Sequence, residues 1–365
     1  MNRLVASSGP AVCLDQIFST AYRNSDVRIR KANFSPALTP VLMKGILMVR
    51  WLVIGIGDIT RRRVIPAIMD SPRSRFQAVV TRDARKALEY PSIQAYASLE
   101  HALDSGEFDA VYVASPVLLH ASQSIACLRA GKHVLCEKPT AMNFAEAETI
   151  LHAAEKAGLL FGVAYYRRLF PKLIRAQQLI RDGVIGEPVF ADANCHSWLE
   201  DKQPDWHRSW LLDPAQAGGG PLYDIASHRI DAMNFLFGTP SRAVGIASNR
   251  VHTYPVEDSA TVLIQYQQGV HAVVDARWNS HVARDQFRVI GTDGEVNLDP
   301  LSGPELRYSG KMESLPTHPN VHAPLIENFV SAILDGEPLA CPGRDAILTD
   351  WVTTTSIQRP EGRTA

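Results

Sequence analysis

His133-Val134-Leu135-Cys136-Glu137-Lys138-Pro139 is a short apolar run, the pattern of a buried strand, that stops at a lysine followed by proline. Proline disfavours helix at the residue before it. Lys138 is therefore expected to be extended or in a turn, its amine projecting from the carboxyl end of the strand. In open α/β sheets that edge is where ligands bind. Taken alone, Glu137 and Lys138 could equally be a solvated pair at a strand end, so the surrounding sequence has to decide.

Upstream, the pattern is regular from Met48. Residues 49–56 read as a β-rich strand running into Gly55-Ile56-Gly57-Asp58-Ile59-Thr60, followed by a helix over 61–69. Strands are expected at 76–81, 109–114, 133–136 and 160–164, with helices at 100–105, 119–130 and 143–157. Gly131 and Gly158 end the last two, as C-caps do. Strands alternating with helices mean a doubly wound parallel sheet. Beyond Tyr165 the order changes. Helices are expected at 172–182 and 224–237, and strands at 187–198, 242–251, 259–266, 270–278, 286–290 and 295–298. Turns at Gln267-Gln268-Gly269 and Thr292-Asp293-Gly294 join successive strands. Val270, Ala272, Val274, Ala276 and Trp278 make one apolar face, with His271, Asp275 and Arg277 on the other. That alternation predicts a large, mostly antiparallel sheet with one face open.

The expected architecture is thus α/β: an N-terminal doubly wound domain over 48–166 and a C-terminal α+β domain over 167–365. Residues 1–47 hold six Lys/Arg against two Asp without periodicity, and are expected to be an extension outside the fold. The chain has 365 residues, an apolar fraction of 46% and a formal net charge of −1. That balance gives no general attraction to nucleic acid or anionic membrane. No apolar run approaches the ~18 residues of a membrane span. Five scattered cysteines without CxxC or zinc spacing fit buried thiols in a reducing, cytoplasmic setting. The open sheet face predicts a homodimer or homotetramer.

Three further stretches carry chemistry. Strand, Gly55-x-Gly57, then helix lets backbone amides approach a pyrophosphate, although Thr60 stands where a third glycine is usual. At the end of the second strand, Thr81-Arg82-Asp83 offers a hydroxyl and a guanidinium before an acid, which favours NADP over NAD. In Gly218-Gly219-Gly220-Pro221-Leu222-Tyr223-Asp224-Ile225-Ala226-Ser227-His228, the glycines permit a compact turn. Asp224 and His228 are then i and i+4 on a helix. An acid beside an imidazole favours the imidazolium and orients it for proton transfer. The plainer alternatives are a capping aspartate with a surface histidine, or two metal ligands. No further ligand stands at metal spacing, so no metal is expected.

Together with Arg167-Arg168-x-x-Pro171, these motifs make the chain, from about Val49 onward, resemble the Gfo/Idh/MocA oxidoreductases, the glucose-fructose oxidoreductase and inositol dehydrogenase family. The resemblance implies a Rossmann domain, a C-terminal domain with an open sheet, and hydride transfer between NAD(P) and a sugar or polyol carbon. Lys138 would bind the reacting oxygen, His228 would act as acid/base, and Asp224 would assist. Gly55, Gly57, Asp58, Ile59, Thr81, Arg82, Ser115, Pro116, His120, Glu137 and Lys138 would border the cofactor. Departures are Thr60, Val117 where asparagine often follows the proline, and Tyr166 where asparagine is common. Substrate contacts are expected from Tyr166, Arg168, Trp198, Trp206 and Arg208, with Asp224 and His228. Tyr165, His196, His207 and Trp210 are further candidates. Two competing readings share the fold: an NAD-dependent glycoside hydrolase using transient oxidation, and a non-catalytic cofactor or sugar sensor.

Overall fold

Residues 41–43, 46–200 and 209–357 are described by the computed structural model. They form two sheets. The first comprises β1 (Val41–Met43), β2 (Ile46–Ile54), β3 (Ser74–Val80), β4 (Gln94–Tyr96), β5 (Ala110–Val113), β6 (His133–Cys136) and β7 (Phe161–Val163). Its parallel strands lie in the order β4-β3-β2-β5-β6-β7, and β1 pairs antiparallel with the start of β2. Pairing thus reaches back into the stretch expected to lie outside the fold, of which residues 1–40 are not described. The parallel order, 3-2-1-4-5-6 along the chain, is that of a Rossmann fold. Its ligand crevice opens where the winding reverses, between β2 and β5.

Helices α1 (Ile65–Asp70), α2 (Ala84–Ala87), α3 (Leu99–Ser105), α4 (His120–Arg129) and α5 (Phe144–Ala157) connect these strands. All four residues of β5 are fully buried, because a parallel strand under helices on both faces has no polar side. Asn143 accepts a hydrogen bond from the Glu146 amide to start α5, and Gly158, at φ 64°, ends it.

The second half contains α6 (Pro171–Arg181), β8 (Pro188–Trp198), α7 (Pro214–Ala217), α8 (Ser227–Phe237), β9 (Pro240–Ser248), β10 (Ser259–Tyr266), β11 (His271–Arg277), β12 (Asn279–Gly291), β13 (Glu295–Asn297), β14 (Glu305–Tyr308) and β15 (Lys311–Ser314). The strand order is β15-β14-β13-β12-β8-β11-β10-β9. Only β8 and β11 run parallel. Leu173 and Leu179 of α6 and Ile230, Met233 and Phe237 of α8 pack on one face against Val262, Ile264, Ala272 and Val274. On the opposite face Val244, Ile246 and Leu263 remain exposed, among ion pairs such as Arg288–Asp192.

Two helices unexpected from the sequence follow: α9 (Ala323–Asp335) and α10 (Gly343–Ser356). Although α9 comes after the second sheet, Leu325, Ile326, Phe329 and Val330 join the core of the first. The Phe329 ring lies 5.6 Å from that of Trp51 on β2. The Rossmann core is therefore closed by the end of the chain. Phe329→Ala is predicted to cost about 3–5 kcal/mol of stability in urea unfolding; a loss below ~1 kcal/mol would contradict this closure.

Candidate active site

Strand β2 ends at Gly55, with φ +93°, where a Cβ would stand 2.8 Å from the Ala114 carbonyl oxygen at the end of β5. Only glycine fits this switch point. Around Gly57 a Cβ would meet nothing within 4 Å, so space is left for a phosphate group at the head of the following helix. Thr60 is fully buried. Its hydroxyl accepts from the Gly57 N–H (2.8 Å) and donates to the Gly57 carbonyl (3.0 Å). It closes the turn by hydrogen bonding where a third glycine would do so by small size. The chain then enters a π-turn over Thr60–Val64. Asp58 pairs with Arg62, and Ile59 is partly exposed.

At the end of β3 the Asp83 carboxylate is already engaged. It accepts from the Arg85 amide (3.1 Å), capping α2, and from the Arg85 guanidinium (3.1 Å). The Thr81 hydroxyl accepts from the Asp83 N–H at 3.3 Å. Lys86 Nζ donates to the Ile56 carbonyl (3.2 Å) in the glycine turn. Arg82 is exposed and is not tied up by Asp83.

Beyond β5, Ser115 Oγ donates to Gln123 (2.7 Å), and Pro116 precedes a short 3₁₀ turn. His120 is 1% exposed, with Nδ1 2.9 Å from the Pro139 carbonyl and Nε2 2.9 Å from the Ser115 carbonyl. It staples the turn after β5 to the turn after β6.

Strand β6 delivers Glu137 and Lys138. Glu137 Oε1 accepts from the Tyr112 hydroxyl (2.7 Å), and Oε2 from the Lys138 amide (3.2 Å). Burial would raise this carboxyl, but His322, Tyr112 and Lys138 bring it below its ordinary value. Lys138 Nζ donates to Asp224 twice, to Oδ1 at 2.7 Å and to the backbone carbonyl at 2.7 Å.

Asp224 is carried by a second π-turn, Leu222–Ala226, directly before α8. The glycines ahead of it are needed for close approach: a Cβ on Gly220 would overlap the Glu257 carbonyl, and one on Gly219 the Tyr223 ring. One turn on, His228 is buried against Tyr165 (5.8 Å between ring centres) and Tyr166 (5.0 Å), with no hydrogen-bond partner for Nδ1 among the described residues. Burial, then Lys138, Arg167, Arg229 and His322, push its pKa well below the ordinary imidazole value. The expectation that the imidazolium is favoured is thus corrected: burial first, and then the neighbouring Lys138, Arg167 and Arg229, disfavour the charged form, while the Asp224 carboxylate is engaged by Lys138. A small cleft lined by Val117, Lys138, Trp210, Gly219, Tyr223 and Asp224 opens beside this cluster.

Not every expected substrate residue arrives there. Arg168 is 3% exposed and bound to Asp231 (2.6 Å), with Asp345 at 3.4 Å; a guanidinium so buried demands a carboxylate, and it stands apart from the cleft. Trp198 stacks on His281 at 3.9 Å between ring centres. His196 is on the open sheet face, 2.6 Å from Asp275. Trp206, His207 and Arg208 lie outside the described residues. Conversely, Arg167, Arg229 and His322 surround His228 without having been singled out for the site. Arg167 had a signal in the arginine pair before Pro171, and Arg229 lies in the glycine-led block that runs from Gly218 to Asp231.

Comparison with known proteins identifies the family. Residues 49–165 match the oxidoreductase family with an NAD-binding Rossmann fold, Gfo/Idh/MocA, and residues 173–297 match a Gfo/Idh/MocA C-terminal domain. The chain is 32% identical over 323 residues to 1,5-anhydro-D-fructose reductase of Ensifer adhaerens, covering 85% of this chain and 95% of the relative. It is 28% identical to D-xylose 1-dehydrogenase [NADP(+)] of Haloarcula marismortui, covering 70% and 73%. Among solved structures, aldose-aldose oxidoreductase from Caulobacter crescentus superposes with a TM-score of 0.75 at 27% identity, over 84% of this chain and 95% of that one. With both halves matched in order, and with a relative at 32% identity over most of its length, the chain belongs to the Gfo/Idh/MocA oxidoreductase family.

Proposed function

We propose that this oxidoreductase transfers a hydride between NADP and a hydroxyl-bearing carbon of a sugar or polyol, with Lys138 and His228 handling the reacting oxygen and its proton. The observation that carries the reading is the meeting of Lys138, from the first sheet, with Asp224, one turn before His228, at a cleft. An ammonium has three donors, and two are spent on Asp224. One is left for a substrate oxygen, where a positive charge stabilises developing alkoxide. A neutral His228 is ready to take the hydroxyl proton in the oxidative direction. Bound at the switch point, the nicotinamide would supply the hydride acceptor or donor; Gly55, the open space at Gly57 and the Ser115–Pro116 turn fit such a group. Residues 48–166 would bind it, and residues 167–365 would shape the substrate site.

Lys138→Ala and His228→Ala are expected to lower kcat about 10²–10⁴-fold, with NADPH binding by fluorescence preserved. The substrate should be found among polyols, aldoses, ketosugars and anhydrosugars. Near-normal rates in both variants would end the assignment, and cleavage of a nitrophenyl glycoside without net redox would favour a hydrolase.

NADP is favoured because Asp83, the residue that would hold a ribose diol, is held by Arg85, while Arg82 and Lys86 add positive charge nearby. KM for NADPH should be lower than for NADH; a strong NADH preference would reverse the choice.

The open face of the second sheet, with Val244, Ile246 and Leu263 uncovered, supports a homodimer or homotetramer through it. Light scattering should give a dimer or larger, and a monomer at micromolar concentration would contradict it.

A further inference from the structure

His322 belongs to none of the motifs above, yet its imidazole reaches both arms of the site. It is 1% exposed, and neither ring nitrogen makes a hydrogen bond among the described residues. Its Nε2 stands 3.5 Å from Glu137 Oε1. That carboxylate is held on its other sides by the Tyr112 hydroxyl and the Lys138 amide, so the imidazole completes a three-sided grip on the residue next to Lys138. The ring also packs on Tyr166, 4.8 Å between centres, and Tyr166 packs in turn on His228 at 5.0 Å.

The backbone around it is tied to the glycine turn. Asn320 Oδ1 accepts from the His322 amide (3.1 Å), and Asn320 Nδ2 donates to the Arg63 carbonyl (2.8 Å). Arg63 returns a hydrogen bond to the Pro319 carbonyl (2.7 Å). Arg63 lies in the π-turn that begins three residues after Gly57. A buried carboxylate needs polar partners on every side, and His322 supplies the one that Tyr112 and Lys138 leave open on Glu137.

We propose that His322 is a positioning residue: through Glu137 it fixes the turn that carries Lys138, while its backbone is tied through Asn320 to the dinucleotide turn. This rests on the role proposed above for Lys138.

The test compares wild type, His322→Phe, His322→Gln, Glu137→Gln and the double variant His322→Phe/Glu137→Gln in kcat, KM, NADPH affinity and urea midpoint. Phenylalanine keeps the ring on Tyr166 but removes the nitrogens; glutamine keeps a donor. His322→Phe should lose about tenfold or more in kcat, since small misplacements near the chemistry are expensive, with NADPH affinity held within about twofold. His322→Gln should recover to within about threefold of wild type. The double variant should be no slower than its slower parent, as expected for residues acting through one contact. An unchanged kcat in His322→Phe, a glutamine variant as slow as the phenylalanine one, or losses that multiply in the double variant would overturn the proposal. If His322→Phe does not fold, His322→Asn, too short to reach Glu137, takes its place with the same outcomes. A wild-type protein that binds NADPH but turns over no sugar would end the oxidoreductase reading instead. The urea midpoints would then decide this proposal separately: non-additive shifts keep the His322–Glu137 coupling, and additive shifts remove it.

Discussion

The ion pair between Lys138 and Asp224 joins the two halves of the site. The residues are 86 apart in sequence, meet at 2.7 Å, and are only 14% and 18% exposed. A partly buried ammonium without its carboxylate would be costly, so each half presents a charge that the other completes. The local devices on both sides serve this meeting. A strand ending in Glu-Lys-Pro pushes the amine out of the first sheet, and three glycines allow the Asp224 turn to pass close to Tyr223 and Glu257. Both glycine turns lead into π-turns, at Thr60–Val64 and at Leu222–Ala226. Such irregular turns recur where a helix must aim groups at a site.

Electrostatics then separates the roles of neighbouring groups. Lys138 finds a carboxylate, while burial, and then Lys138, Arg167, Arg229 and His322, push the pKa of His228 well below the ordinary imidazole value. Arg229 is balanced by Asp285 at 2.6 Å, whereas Arg167 has the Ser302 hydroxyl (3.1 Å) and the ring faces of Tyr166 and Phe170. Burial together with these positive neighbours disfavours the imidazolium.

The first sheet was legible because its apolar strands, helices and capping glycines are local signals: Asn143 and Gly158 bracket α5 as the sequence implies. Helix α10 was not, because Thr349, Asp350 and Thr353 are all buried, which erases the polar stripe that marks a helix. The meeting of Lys138 with Asp224, one turn before His228, was foreshadowed by two short motifs. The error over the charge of His228 arose because its sequence neighbour Asp224 is claimed by a lysine from the other half. The ion pair that buries Arg168 was not legible, since its partner Asp231 lies 63 residues away. His196 could have been read correctly from strand alternation alone. Ala191, Ala193 and Cys195 point into the core, so His196 must point to the open face.

The central claim is that an amine from one half and an imidazole from the other flank a single reacting oxygen above the nicotinamide. A crystal structure of the ternary complex with NADP and a turned-over sugar measures this directly. The account predicts the reacting carbon about 3–3.5 Å from the nicotinamide C4, with its oxygen within hydrogen-bond distance of both Lys138 Nζ and the His228 ring. A sugar bound with that oxygen beyond reach of either side chain, or a dinucleotide seated away from the Gly55–Gly57 turn, would contradict it.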